Sequence, residues 1–335
     1  MATQSISGKA FEYACLLALY NTLIENQVVE VEDTAPLQTA RKSYESLDSI
    51  VKKDMEDGAN AAVRTLLRLE PQLLNPENNI PLILAIQKDS SGEAGDVRDV
   101  LAIRQQNNWE IGISVKHNHD AVKHSRLSQT IDFGGSWFDT PCSSNYFEEI
   151  RPIFDELSEL RKQKVKWRDL ENKEERFYIP VLNAFIKEIN ALYSEHGSVI
   201  PNQLLLYLLG RHDFYKLIAD SKRRVTKLQA FSFSGTLNNP AGNVQPMYRI
   251  PRMRLPEIIY STDFKPGSKT TINIACNEGW ELSARIHNAS TMVEPSLKFD
   301  IKLVGLPPTV YSHDEPWGLF GVSESGGQVA EQTDE

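Results

Sequence analysis

Between residues 95 and 126 the chain gathers carboxylates, a lysine, hydroxyls and imidazoles at a spacing that could act on a phosphodiester. Residues 95–104 and 109–116 read as two short strands joined by the polar turn 105–108. Asp99 enters the first strand beside Leu101 and Ile103. In the second, side chains alternate faces, so Ile111, Ile113 and Val115 lie on one side and Glu110, Gly112, Ser114 and Lys116 on the other. An acid on one strand thus opposes an acid, a hydroxyl and an ammonium on its neighbour. Such a pair can hold a divalent cation and an attacking water. Asp99 would be the ligand, and Lys116 would orient water and stabilise the charge that builds on the phosphate. A hard cation with carboxylate and water ligands points to Mg²⁺. Asp96, three residues before Asp99, reads as a turn acid.

The same alternation describes an ordinary hairpin with one wetted face, and the continuation tips the balance. His117, Asn118, His119, Lys123, His124 and Arg126 follow at once. That run is too polar for a packed connection and suits phosphates and base edges. Its histidines lack a helical zinc spacing, so nucleic-acid contacts are expected of them in preference to metal ligation.

A length of 335 residues suffices for one large domain or two modest ones. Hydrophobic content of 41% and charged content of 24% are those of a soluble globular protein. There is no run of membrane-span length and no signal-peptide pattern, so no membrane partner is expected. Cys15, Cys142 and Cys276 are odd in number and widely spread, which points to a reducing cytoplasm and gives no zinc spacing. Net charge is −9, yet residues 211–254 hold nine Lys/Arg against two Asp. One basic face on an otherwise acidic protein fits that polarity.

Residues 8–20 read as a helix with a buried face, carrying Glu12 to the rim of the metal site. Residues 37–54 and 59–69 read as two amphipathic helices, 75–79 as a loop, 81–86 as a first core strand and 89–95 as a flexible turn. Residues 121–133 read as a helix closed by Gly134-Gly135, with Gln129 and Phe133 one turn apart. A charged and then apolar helical pattern runs over 147–219. Beyond it, residues 225–234, 247–254, 270–276, 280–286 and 297–304 read as strands of an antiparallel region. The expected organisation is a catalytic core over 1–146, a helical layer over 147–223, a β-rich recognition region over 224–320 and a disordered acidic tail over 321–335.

An early helix with Glu12, Asp99 on one strand, Ser114-Val115-Lys116 on the next and a helix with Gln129 resemble the PD-(D/E)XK nuclease fold, an α/β (α+β) core with a small mixed sheet flanked by helices. More specifically, residues 95–99, 110–116, 117–128 and 280–289 are similar to HaeIII-type restriction endonucleases. The resemblance implies a type II enzyme that recognises GGCC in duplex DNA and cuts it with Mg²⁺. It also exposes a departure: the fold's usual second acid, two residues before the lysine, is Ser114 here. Glu110, Glu12 and Asp132 are the candidates to replace it, with Glu110 and Glu12 preferred.

Sequence reading is expected from arginines, which pair bidentately with guanine O6 and N7. Arg249, Arg252 and Arg254 form one set, and Arg285, His287 and Asn288 a second. Lys222, Arg223 and Arg224 are expected on phosphates. A palindromic site favours a two-fold homodimer. Two other functions fit the same core: a structure-selective repair or junction nuclease, and a DNA-binding protein whose nuclease centre is dead.

Overall fold

The computed structural model describes residues 2–74, 81–88, 95–118 and 123–318. The expected loop 75–79, most of the turn 89–95, His119 and the tail 321–335 lie outside the described residues, as does the side chain of Lys123.

Helix α1 (Ala2–Leu23) buries Phe11, Cys15, Leu19 and Leu23, an i, i+4 stripe. Helix α2 (Ala35–Glu45) starts where the Thr34 hydroxyl accepts from Leu37 N, with Pro36 in the first turn. Helix α3 (Ser49–Leu69) starts where the Asp48 carboxylate accepts from Ile50 N and Val51 N, each at 3.0 Å. The break between these helices therefore falls at residues 46–48 and not between 54 and 59. Gly58 sits inside α3, where a Cβ would lie 3.1 Å from the Trp317 ring.

The three helices cover one face of a seven-stranded mixed sheet. Its order is β1 (Val29–Val31), β2 (Leu82–Ile86), β3 (Val100–Arg104), β4 (Trp109–His117), β6 (Phe214–Asp220), β7 (Val225–Phe231) and β12 (Tyr311–Pro316). Strand β4 is antiparallel to β3 and parallel to β6. Ile111, Ile113 and Val115 alternate onto the helical face with Tyr215 and Leu217. The other face carries Gly112, Ser114 and Lys116 beside Phe214, Lys216 and Ile218.

The second layer is a five-stranded antiparallel sheet in the order β5 (Lys123–Leu127), β11 (Leu297–Gly305), β10 (Glu281–His287), β9 (Thr271–Cys276) and β8 (Ile259–Phe264). Helices α4 (Phe133–Phe138), α5 (Ser144–Lys162), α6 (Ile179–His196) and α7 (Val199–Leu209) pack with it. Trp137, Phe185 and Phe299 meet in their common core, and Phe214 stacks on Phe231 at 4.9 Å to join that core to the first sheet.

Several elements differ from the sequence expectation. Of the helix expected over 121–133, the described residues 123–127 are a strand: Ser125 and Leu127 turn inward while His124 and Arg126 turn outward, a period of two that pairs β5 with β11. Gly134 and Gly135 open α4 instead of closing a helix, Asp132 caps it through Gly135 N at 2.9 Å, and Gln129 lies in the turn before it. Residues 214–219 are a strand, β6, and not the end of the helical layer. Residues 247–254 form no strand, because their backbone is spent on loop contacts such as Ile250 N to Asn238 Oδ1 and Met253 N to Ser232 O. Strands β6, β7 and β12 share a sheet with β2–β4, and β5 belongs to the other sheet. The sheet that carries Lys116 is thus not confined to residues 1–146.

Candidate active site

Asp99 occupies the point where β3 and β4 part. Its N–H reaches Ile113 O at 2.8 Å and its carbonyl accepts from Gln87 N at 3.0 Å, so the backbone is held between both neighbouring strands. Beyond that point the side chain takes over as acceptor. Asp99 Oδ2 receives Val115 N at 2.7 Å, Ser114 Oγ at 3.2 Å and Lys116 Nζ at 3.3 Å. No hydrogen bond from the described residues reaches Asp99 Oδ1. Asp99, Ser114 and Lys116 line a cleft of about 360 Å³ together with Gln87, His124 and Lys216, against a wall of Leu208, Leu209 and Phe214.

The neighbouring acids have other duties. Asp96 grips Arg98 with both oxygens, at 2.8 Å to Nε and 2.7 Å to Nη2, and also accepts from Gln87 Nε2. Burial pushes the Asp96 carboxyl up, but the bonds from Arg98 and Gln87 outweigh it and hold the group below its ordinary value. Arg98 lies buried across Gly112, where a Cβ would meet its Cδ at 1.9 Å, and its far end pairs with Glu110. Glu110 therefore stands beyond the guanidinium, in a separate cavity with Asn108 and Asp213, and is not brought to Asp99. Asp132 is likewise spent as a helix cap.

Glu12 is buried on α1 and pairs with Lys9 at 2.9 Å. Burial pushes the Cys15 thiol up, and the negative charges of Glu12 and Asp99 add to that push. Both carboxylates are thus within electrostatic reach of one thiol, which puts Glu12 on the Asp99 side of α1. Among the described residues no cluster of three His, Cys, Asp or Glu side chains forms a ready metal cage.

The nucleic-acid candidates divide into three groups. His124 and Arg126 on β5, with Arg285 and His287 on β10, share the solvent face of the second sheet through their common neighbour β11. At the centre of that face Asp300 accepts from His124 Nδ1 at 2.6 Å and from His287 Nε2 at 2.7 Å. Arg126 is steadied by Ser296 and Glu294, and Asn288 turns the chain just after β10. His124 also lines the cleft, so the face and the cleft are continuous.

A second group faces elsewhere. His117 alternates onto the α1 side, with Nδ1 2.7 Å from Ser7 Oγ and its ring 5.5 Å from Phe11; burial holds its pKa down. Asn118, in the left-handed region at φ 59°, accepts from Ser221 N and ties β4 to the β6–β7 turn. Arg223 and Arg224 pair with Asp314, Asp54 and Asp57 on the exposed surface around the β6–β7 turn. The third group, Arg249, Arg252 and Arg254, lies on the loop before β8. Arg252 bonds Phe233 O, and Arg254 O accepts from Trp280 Nε1, at the opposite end of β10 from Arg285.

Two site residues escaped sequence reading. Lys216 was hidden because residues 214–219 pass for the end of a helical segment, although their aromatic and branched content also fits a buried strand. Asp300 alternates legibly with Phe299 and Ile301, but nothing in the sequence shows that two histidines converge on it.

A mixed α+β scaffold that sets a carboxylate and a lysine side by side at the mouth of a cleft is consistent with a nuclease fold. The comparisons agree. The family model for HaeIII restriction endonuclease matches residues 8–307. The type II restriction enzyme HaeIII of Haemophilus aegyptius is 44% identical over 311 residues, which is 93% of this chain and 97% of that enzyme. The chain belongs to the HaeIII restriction endonuclease family. No solved structure matches it.

Proposed function

We propose that this chain hydrolyses both strands of duplex DNA at GGCC, acting as a Mg²⁺-dependent homodimer in the cytoplasm, with Asp99 and Lys116 at the catalytic centre. The observation that carries the centre is the 3.3 Å pairing of Lys116 Nζ with Asp99 Oδ2 at the mouth of the cleft. Three donors lock Oδ2, which leaves Oδ1 directed to a ligand. One carboxylate oxygen, water and a substrate phosphate suit Mg²⁺, which keeps much of its water shell and needs few protein ligands. Asp99 would hold the ion, with Glu12 as the second carboxylate. When bound, the ion would neutralise phosphate charge and acidify its water.

The chain's own residues supply the rest. Lys116 presents a cation where the attacking water and the phosphate oxygens meet, orienting the first and stabilising the charge on the second. Ser114 and Val115 N keep Asp99 from rotating, so its geometry is set before DNA arrives. The polar face around His124, Arg126, Arg285 and His287 adjoins the cleft and carries the duplex; Arg285 is the candidate for a guanine edge. Dimerisation is supported by the symmetry of a palindrome, which needs one centre per strand.

Purified protein incubated with plasmid and Mg²⁺ tests the reading. Discrete fragments ending at GGCC are expected, and Asp99→Ala and Lys116→Ala should bind DNA without cutting. A smear or structure-dependent nicking would favour a repair nuclease, and an intact plasmid with a retarded band would favour binding alone. Light scattering of the protein with a GGCC duplex checks the dimer.

A further inference from the structure

We propose that His124 is a catalytic residue whose Nε2 gives a proton to the oxygen leaving the scissile phosphate, and that Asp300 is the positioning residue that aims it. The inference rests on the reading of Asp99 and Lys116 as the catalytic centre and supplies its leaving group with an acid. His124 stands on β5, the edge strand of the second sheet, yet lines the same cleft as Asp99 and Lys116. Asp300 Oδ1 lies 2.6 Å from His124 Nδ1, and because a carboxylate only accepts, Nδ1 carries the hydrogen. No hydrogen bond from the described residues reaches His124 Nε2, and the side chain is 52% exposed. His287 differs: its Nε2 meets Asp300 Oδ2 at 2.7 Å and its Nδ1 meets Asn288 O at 2.9 Å, so both nitrogens are occupied. One imidazole thus steadies the carboxylate, and the other keeps a nitrogen to offer the cleft. Burial pushes the Asp300 carboxyl up, but the bonds from the two rings outweigh it and hold the group below its ordinary value.

The other ionisable side chains of the cleft are carboxylates, lysines and an arginine, which ordinarily keep their charge at neutral pH. His124 is its one imidazole among the described residues, and imidazole is the group that exchanges a proton there. The negative charge of an incoming phosphodiester favours a second proton on the ring, at Nε2. Displacement at phosphorus sets the entering and leaving oxygens in line, so the groups that serve them stand apart. Lys116 from the first sheet serves the entering water, and His124 from the second serves the leaving oxygen. Water oxygen bonds to phosphorus and its proton passes to solvent. The bond from phosphorus to the leaving oxygen breaks, and its electron pair stays on that oxygen and takes the Nε2 proton. The neutral ring then regains a proton from solvent.

The test compares wild type, His124→Gln, Asp300→Asn and Lys116→Ala on two GGCC duplexes. One is ordinary, and the other carries sulfur at the bridging position that leaves, identified from the ends of the wild-type fragments. A thiolate leaves without a proton. Single-turnover cleavage is measured in Mg²⁺, binding in Ca²⁺ and thermal melting without DNA. His124→Gln keeps a polar group but cannot transfer a proton. It should melt near wild type, bind within threefold and cut the ordinary duplex about 100-fold more slowly, yet cut the sulfur duplex within threefold of wild type. Asp300→Asn should show a smaller loss that sulfur also removes, which a merely structural defect would not. Ordinary cutting by His124→Gln within threefold of wild type, equal losses on both duplexes, or a binding loss as large as the rate loss overturns the proposal. A sulfur duplex that resists wild type overturns it too. Should His124→Gln not fold, Asp300→Asn decides on the same pair of duplexes. An inactive Lys116→Ala with a fully active His124→Gln rejects His124 alone. An active Lys116→Ala rejects the centre on which the inference stands.

Discussion

Val115 N donates to Asp99 Oδ2 at 2.7 Å, so the strand that bears Lys116 also clamps the carboxylate that Lys116 faces. The clamp is redundant, because Ser114 Oγ donates to the same oxygen at 3.2 Å. Ser114→Ala is therefore expected to cost less than about tenfold in single-turnover cleavage, the scale of one neutral hydrogen bond. Asp99→Asn keeps the shape but loses the charge, and should cost about a thousandfold or more, the scale of a group required in the transition state. Equal losses in the two variants would mean that Ser114 has a chemical role of its own.

Gly112 is the place where β4 tolerates no side chain. A Cβ there would stand 1.9 Å from Arg98 Cδ, and Arg98 is fixed at both ends by Asp96 and Glu110. Gly112→Ala should destabilise the fold by about 1–3 kcal/mol, the usual cost of overpacking. It should also slow cleavage, since Arg98 immediately precedes Asp99. Urea denaturation beside a cleavage assay measures both, and an unchanged midpoint would show that Arg98 swings away freely.

How much of this was legible in the sequence follows from the range of the signals. The hairpin around Asp99 and Lys116 was readable because period-two alternation and a polar turn act over a few residues, and the structure keeps both. The segment after His117 reads locally as a helix because the alternation of β5 is only five residues long and its pairing partner lies at 297–301. Lys216 and the pairing of His124 with Asp300 depend on register between strands about 100 and more residues apart in the chain, which no local pattern encodes. Glu110 shared a face with Ser114 as expected, yet the Arg98 side chain laid across Gly112 separates them.

Glu70 gives the molecule a pH-dependent stability of its own. It ends α3 fully buried, and its Oε1 accepts from Tyr215 Oη and Asn238 N, each at 2.6 Å. Burial pushes the carboxyl up to about 7, and those two bonds pull it back only in part. In the unfolded chain the group titrates near 4.5, so between the two values the folded state binds more protons. The stabilisation is complete below pH 4.5 and is lost as pH rises through 7, an effect of about 3 kcal/mol. Glu70→Gln keeps an acceptor for both donors and should flatten the dependence between pH 5 and 8, relative to wild type in urea melts at several pH values. Parallel curves for the two proteins would place the titration elsewhere.

The second sheet should make itself felt through salt. Arg126 and Lys298 are register partners on its outer face, next to His124, whose imidazole reaches the cleft. Cations in such a row neutralise phosphates, and each phosphate contact releases counterions that appear in the slope of log affinity against log salt. Lys298→Ala and Arg126→Ala should each lower that slope by about one and weaken GGCC and non-cognate duplexes alike. Arg285 stands one strand further in, opposite Asp300. If it reads a guanine, Arg285→Ala should cost about 1–3 kcal/mol on GGCC and little on non-cognate DNA, a split the phosphate contacts do not produce. Competition binding at four salt concentrations separates the two roles. A salt slope that none of the three substitutions changes would move the duplex off this face and onto the Arg249–Arg254 loop at the other end of β10.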